Sequence, residues 1–247
     1  DTIIELAMVA FEYDVHGNVY RVLRTSSQLE DPGRPIPPEI VRLTGITDEE
    51  VAGQRISEEE VNEFLADVRL VVAHNAAFDR PFVEQRLPRF AELPWACSLV
   101  DVGWRDLGFA SGGMEYLAFR HGFFFDAHRA LIDSLAGVTI LASKENGTGS
   151  TTMALLRENA LRNSVLLWAE NSPYDSKDLL KERRYRWNPE ARAWWTEIPE
   201  EQHAAELEWL ASNVYGRRVA LPYVRVTAKE RYSLRVPQAV PTNADRA

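Results

Sequence analysis

The sequence has almost no cysteine, and this scarcity excludes two kinds of stabilising site. Its 247 residues include one cysteine, Cys97, so the chain cannot form an internal disulfide or a zinc site built from several cysteines. It also lacks an apolar run long enough for a membrane helix, and it does not open on the basic and apolar pattern of a signal peptide. We therefore expect a cytoplasmic protein without a membrane partner.

An excess of positive charge is also missing. The chain has 28 Lys and Arg against 37 Asp and Glu, a formal net charge of −9, which argues against a protein that coats nucleic acid by charge alone. This balance still allows an enzyme that grips a few nucleotides through metal ions. Apolar residues make up 45% of the chain, enough to form the core of one large domain or two smaller ones.

Alternating strand-like and helix-like segments predict an α/β layered domain over residues 1–143. Two β-type runs, at 2–13 and 17–25, are separated by the turn residues His16, Gly17 and Asn18, which indicates a hairpin and therefore a mixed sheet. The other predicted elements are helices that begin near residues 37, 47 and 57, short strands at 70–74 and 94–100, and helices at 112–121 and 128–143.

Changes in composition mark the remaining boundaries. Residues 144–163 are predicted to form a linker, rich in Gly, Ser and Thr, and a connecting helix. Five of the seven Trp residues then fall between Ser164 and Trp209, which indicates a small α+β C-terminal domain over residues 164–236. This domain is predicted to contain a helix and a β-hairpin that turns at residues 188–190. We expect the tail, 237–247, to be disordered.

Three side chains stand out as candidates for chemistry. Asp79 follows a strand-to-helix transition, and His128 and Asp133 are five residues apart on a predicted helix. Five residues turn an ideal helix by about 500°, which leaves the two side chains about 140° apart. They share a cleft only if His128 lies at a frayed helix entrance. From spacing alone, a helix cap is the more common role of such an Asp, and a structural role is the more common one for a lone His.

The segments around these residues resemble motifs of the DnaQ-like (DEDDh) family of 3′–5′ exonucleases. Residues 70–79, LVVAHNAAFD, resemble the second exonuclease motif of that family, and residues 122–134, GFFFDAHRALIDS, resemble its third. Residues 36–47 are similar to the helical connection of the family, and residues 3–6 to its second strand. The resemblance runs in order across residues 1–143. It implies an RNase H-like fold, a mixed sheet flanked by helices.

The resemblance implies 3′–5′ hydrolysis of phosphodiester bonds at DNA ends, with single strands preferred. Asp79 and Asp133 would be ligands of two Mg²⁺ or Mn²⁺ ions, and His128 would be the general base. Asn75 and Phe78 would touch the terminal nucleotide, or would instead cap and pack the helix entrance. Two other functions stay open, a catalytically inactive nucleic-acid-binding protein and a 3′–5′ exoribonuclease.

The first motif of the family, Asp-x-Glu on the first strand, is missing from the sequence upstream of residues 3–6. The chain opens without Met and directly on a strand, so we expect that it was cut or that upstream residues are missing. We also expect a sheet without its first, central strand, a weak metal site and little activity. Glu5 is expected to be structural.

The C-terminal domain combines basic and aromatic side chains, and it resembles a small domain appended to some DnaQ-like exonucleases. Cations beside aromatic rings suit a single strand, which is held by phosphate contact and stacking. For Trp187 and Trp194, however, we predict core positions. The candidate contacts with nucleic acid are Lys177, Lys181, Arg184 and Arg186.

Overall fold

The computed structural model describes residues 2–144 and 149–235, which divide into two units. Unit 1 ends at Ala160, and unit 2 begins at Leu161. Residues 145–148 of the predicted linker and the whole predicted tail, 237–247, lie outside the described residues. Among the residues that are described, no helix is both long and apolar enough to cross a membrane.

The predicted N-terminal hairpin is confirmed. Strands β1 (Glu5–Tyr13) and β2 (Val19–Leu29) pair antiparallel. In the turn between them, the Asp14 carboxylate accepts the backbone N–H of Asn18 at 2.9 Å. Gly17 has a φ of +79°, in the left-handed region that glycine adopts without a steric penalty. The turn residues therefore fix the hairpin as the sequence pattern indicates.

The rest of unit 1 alternates helices with two short strands, as predicted. Strands β3 (Val71–Ala73) and β4 (Trp95–Cys97) pair in parallel. The helix start predicted near residue 47 is also present, and Thr47 and Glu50 form a capping box there. In chain order the elements are α1 (Pro38–Thr44), α2 (Asp48–Val51), α3 (Glu58–Phe64), β3 (Val71–Ala73), α4 (Ala76–Arg86), β4 (Trp95–Cys97), α5 (Met114–Arg120), α6 (Ala130–Ala142) and α7 (Thr152–Leu161).

The main core of unit 1 lies between β4 and helices α5, α6 and α7. It is made of closely packed apolar side chains that are almost fully removed from water, and such burial is the main favourable term in folding. Its members include Ala96, Leu117, Ile140, Met153 and Leu156.

Unit 2 is an antiparallel sheet with helices, which confirms the predicted α+β class. The strands lie in the order β6 (Arg186–Asn188), β7 (Ala193–Pro199), β5 (Ser164–Ala169) and β8 (Tyr223–Val226), and every residue of the inner strand β5 is buried. In chain order the elements are β5 (Ser164–Ala169), α8 (Lys177–Glu182), β6 (Arg186–Asn188), β7 (Ala193–Pro199), α9 (His203–Leu210) and β8 (Tyr223–Val226).

Side chains of β5 alternate between two apolar clusters, one on each face of this sheet. Leu167 and Ala169 pack with Leu180 of α8 in one cluster, and Leu166 and Trp168 belong to the other. The two faces are therefore both apolar, and α8 covers the face that carries Leu167.

The predicted core position of Trp187 is wrong, because its side chain is 49% exposed. Trp187 belongs to β6, an edge strand whose only strand neighbour among the described residues is β7. Its ring rests with its edge against Trp194, at a centroid distance of 5.6 Å. Trp194 itself is half-buried against the cluster that contains Leu180. Contact on one side only leaves the other side of the Trp187 ring open to solvent.

Candidate active site

A groove of about 1360 Å³ runs through unit 1 between β1 and β3. Among the described residues, β1 is hydrogen-bonded only to β2 and β3 only to β4, so the edges that face the groove are unpaired. No residue of β1 or β3 is buried, whereas all three residues of β4 are. Interior strands of such a sheet are normally buried on both faces. The groove therefore lies where a sheet of this kind would have one more strand.

Asp79 faces this groove from the first turn of α4. The helix begins after Asn75, which has a left-handed backbone with φ 75° and ψ 48°. Burial raises the pKa of the Asp79 carboxyl to about 6, and no described side chain pairs with it. A buried carboxyl without a cation favours its neutral form, and a cation nearby would favour the ionised form.

Asp133 faces the same groove from the first turn of α6. Burial raises the pKa of the Asp133 carboxyl, and the nearby charges of Glu5 and Glu115 raise it further, whereas the backbone N–H and charge of His128 lower it. Two half-buried carboxyl groups with raised pKa values therefore line one cavity, and perturbed carboxyl groups in a cleft are candidates for a functional site.

His128 lies outside α6. The sequence predicts a helix from residue 128, but the observed helix begins at Ala130. Its backbone is left-handed, with a φ of 76°, and its N–H donates to the Asp133 Oδ1 at 3.2 Å. The separation of about 140° expected in an ideal helix therefore does not apply. His128 and Asp133 line the same groove, the arrangement required if they are to act together.

Glu5 fixes the start of α6 from across the fold. Its carboxylate on β1 accepts the backbone N–H of Ala130 at 2.9 Å and pairs with Arg129 at 3.2 Å. Acceptors of this kind satisfy the free N–H groups of a helix N-terminus and oppose its positive end. The structural role predicted for Glu5 is thus a cap that positions the turn carrying Asp133.

Glu115 is a residue of the groove that sequence reasoning missed. It lies in the first turn of α5, lines the groove, and acts electrostatically on Asp133. No spacing in the sequence links Glu115 to Asp133, because the two meet only through the packing of α5 against α6.

Phe78 and Asn75 lie at the entrance of α4. The Phe78 ring is 61% exposed and contacts Phe82 at a centroid distance of 5.3 Å. Asn75 occupies the N-cap position, but its side chain makes no capping hydrogen bond. The alternative role of Asn75 as a cap is therefore wrong, whereas the contact with Phe82 fits the alternative role of Phe78 in packing. Phe78 lines the groove, and Asn75 is not among the residues that line it.

The donor chemistry at the groove fits Mg²⁺ or Mn²⁺, since these ions prefer carboxylate oxygens. Asp79 and Asp133 are the candidate ligands that line it with raised pKa values. Within residues 2–144 and 149–235, no group of three or more His, Cys, Asp or Glu side chains is arranged to hold a metal ion. The described residues thus offer suitable donors, but they do not form a complete ligand set.

The candidate contacts of unit 2 do not share one face. Arg186 lies over the Trp195 ring at 5.3 Å, and Trp187 points to the other face of β6, since successive side chains of a strand alternate. Lys177, Lys181 and Arg184 lie on or directly after α8. The structure therefore separates Arg186 from the other three.

Unit 1 is thus an α/β domain that carries acidic side chains in a groove beside its strands. The sequence profile of the RNase T family, described as exonuclease, matches residues 1–141. The chain belongs to this exonuclease family, which confirms the predicted DnaQ-like relationship and the RNase H-like α/β fold class, and supports nuclease activity.

Two individual proteins are similar to parts of this chain. DNA polymerase III PolC-type from Halalkalibacterium halodurans is 37% identical over 83 residues, which are 33% of this chain and 5% of the polymerase. The solved structure of Exonuclease X in complex with 5′ overhanging duplex DNA is 24% identical, with a TM-score of 0.45. That match covers 62% of this chain and 89% of the Exonuclease X chain. This chain thus spans a small fraction of the polymerase.

Proposed function

We propose that unit 1 removes nucleotides from the 3′ ends of DNA, with single strands preferred, by a mechanism that uses two Mg²⁺ or Mn²⁺ ions. The observation that carries this proposal is that Asp79, Asp133 and His128 line one groove. They come from two helix starts that lie far apart in the sequence. Membership in an exonuclease family supports the reaction class.

Asp79 and Asp133 would hold the metal ions. When bound, such ions supply positive charge that activates water and stabilises the charge on the phosphate. The burial that raises the pKa of Asp79 to about 6 also makes its carboxylate responsive to a cation, because the charge is poorly solvated. Both carboxylates are anchored in the first turns of helices, so their positions are fixed by the fold.

His128 would accept the proton of the attacking water, since imidazole is the side chain that takes up a proton near neutral pH. Its left-handed backbone places it ahead of α6, exposed at the groove. The hydrogen bond from its N–H to Asp133 ties the His128 backbone to the carboxylate that would hold a metal ion. The proposed general base, His128, and the proposed metal ligand, Asp133, are therefore held next to each other.

Phe78, which lines the groove, and Asn75, at the start of the same helix, would contact the terminal nucleotide. The exposed face of the Phe78 ring suits stacking on a base, and the uncommitted amide of Asn75 suits a polar contact with the sugar or base. An unpaired end leaves both faces of its terminal base open to such stacking, which agrees with a preference for single strands.

Full activity would also require a strand in the groove between β1 and β3. The family resemblance implies an Asp-x-Glu motif on a strand at this place, and none of the described residues supplies it. Such a strand would pair with both free edges and add two carboxylates to the donor set. We therefore expect the described residues alone to bind metal weakly.

The test is a cleavage assay on single-stranded DNA and RNA, labelled at the 5′ end and incubated with Mn²⁺. The chain is compared with a version extended by a strand that bears Asp-x-Glu, and with Asp133→Asn in the extended version. Asp126→Asn is the matched control, because Asp126 is an exposed carboxylate of the same segment that does not line the groove.

We expect the extended chain and its Asp126→Asn variant to shorten DNA stepwise from the 3′ end, and Asp133→Asn to be inactive. If the extended chain shortens RNA stepwise but not DNA, the proposed substrate becomes RNA instead of DNA. If the extended chain binds both substrates and cleaves neither, the nuclease proposal fails.

A further inference from the structure

We propose that unit 2 carries its own binding surface for single-stranded nucleic acid, centred on helix α8. This surface, called the α8 surface below, consists of Tyr174, Lys177, Lys181, Arg184 and Trp187. The proposal concerns unit 2 alone and does not depend on hydrolysis at the groove of unit 1.

Two aromatic rings of the α8 surface are exposed. Tyr174 is 78% exposed and Trp187 is 49% exposed. Each ring is held by a neighbour: the Lys177 Nζ lies 4.4 Å from the centroid of the Tyr174 ring, and Trp194 contacts the Trp187 ring at 5.6 Å. A ring that is held in place with one open face suits stacking on an unpaired base.

The two rings lie on the same side of the sheet. Leu180 of α8 inserts into the cluster against which Trp194 packs, so α8 covers the face that carries Trp194. Trp187 pairs with Trp194 across neighbouring strands, and directly paired residues point to the same face. Helix α8 and the Trp187 ring therefore share this side of unit 2.

Cations accompany the rings. Lys177 and Lys181 are four residues apart on α8 and so project from the same side of the helix. Lys181 lies 3.7 Å from Asp178, but both side chains are mostly exposed, and such a pair is weak and readily exchanged for a phosphate.

Arg184 occupies a backbone position that normally favours glycine. It follows the C-terminus of α8 with a φ of 67°, and the Arg184 and Tyr185 N–H groups close the helix on the carbonyl groups of Lys181 and Leu180. Glycine fits this left-handed position without the steric penalty that arginine pays. Among the described residues, none forms an ion pair with the Arg184 guanidinium, so its charge is available to a ligand.

Arg183, which precedes Arg184 in the chain, differs from it because its guanidinium is paired within the fold. Arg183 binds the Glu206 carboxylate at 2.8 Å and lies over the Trp209 ring at 4.3 Å. Tyr185 donates to the same carboxylate. Arg183 and Tyr185 therefore stabilise the fold, and Arg184 is the arginine of this segment that remains for binding.

Single-stranded nucleic acid is the ligand that matches this chemistry. Open aromatic faces need bases that are not paired, and a duplex does not offer them. The cations of the surface, Lys177, Lys181 and Arg184, suit two or three phosphates. For single strands each phosphate contact contributes about 0.7 to the salt slope, so a slope of about −2 is expected.

The test measures binding of the full chain to fluorescein-labelled oligothymidylate by anisotropy, in EDTA so that no divalent metal ion is available to the groove of unit 1. We expect Trp187→Ala and Tyr174→Ala each to weaken binding about ten-fold, the range of one stacked base. Trp187→Phe keeps a ring and should retain most of the affinity. Tyr20→Ala is the matched control, because Tyr20 is a 64% exposed aromatic residue of unit 1.

Arg184→Gly separates binding from folding. The variant removes the cation and relieves the left-handed backbone, so we expect weaker binding and a salt slope lower by about 0.7, with undiminished stability of unit 2. The proposal is overturned if the alanine variants of both rings bind within two-fold of the parent chain, or if a duplex of the same length binds as tightly as the single strand. Neither result bears on the nuclease proposal, which is tested separately by the cleavage assay.

Discussion

Replacing Gly17 by alanine should destabilise unit 1 strongly, because two separate penalties meet there. Gly17 is buried in the β1–β2 turn with a φ of +79°, and a left-handed backbone costs a non-glycine residue about 1–2 kcal/mol. A Cβ at this position would also lie 2.5 Å from the backbone N and Cα of Ala154 in α7. Backbone atoms can relieve such an overlap only by moving the hairpin or the helix, at a cost of about 1–3 kcal/mol.

Gly53→Ala is the matched control for this prediction. Gly53 has a φ of +70°, and a Cβ there would meet no atom within 4 Å. The two variants therefore share the backbone penalty and the change in the unfolded chain. The difference between their free energies of unfolding isolates the overlap, expected to be about 1–3 kcal/mol.

The assay is urea unfolding, with hydrogen exchange of the β1–β2 and α7 peptides to identify the transition of unit 1. Gly17→Ala should unfold at the lower urea concentration, and its α7 peptide should lose protection first. Equal midpoints for the two variants would refute the close approach of the hairpin to α7.

Two further predictions concern polar contacts of unit 1. Glu5→Gln should weaken the cap on Ala130 and lower the stability of unit 1 by about 1 kcal/mol. The effect should be measurable as faster hydrogen exchange in the first turn of α6, and unchanged exchange there would contradict the role of Glu5. Burial opposes ionisation of Glu30, but hydrogen bonds from Arg86 and the Ile56 N–H outweigh burial and lower the pKa of its carboxyl. Its stabilising effect is therefore complete above the unfolded pKa of about 4.3 and is lost as the pH falls through the lower folded value. Urea unfolding at pH 7 and pH 3 should show a smaller loss of stability in acid for Glu30→Gln than for the parent chain, and equal losses would contradict this.

Local signals in the sequence predicted much of unit 1 correctly. The turn residues around Gly17 and the helix start near residue 47 act over a few residues, so their effect can be read directly from the sequence. The two motifs around Asp79 and Asp133 predicted residues that the fold brings into one groove.

Features that depend on distant contacts were harder to predict. The left-handed backbone of His128 interrupts what the sequence pattern presents as one helix. The cap that Glu5 places on Ala130 joins residues 125 apart, and no periodicity reports such a contact. Trp187 is exposed because β6 is an edge strand, a property of the strand order in the sheet and not of its own sequence.

The central claim is that Asp79 and Asp133 belong to one metal site. Its most direct test is Mn²⁺ binding, monitored by electron paramagnetic resonance. We predict that Asp79→Asn and Asp133→Asn each weaken Mn²⁺ binding at least about ten-fold, since loss of even an outer contact has effects of that size. The double variant should be little weaker than either single one, and Asp126→Asn should bind as the parent chain does. Mn²⁺ affinity that is the same in all four variants and the parent chain would contradict the account.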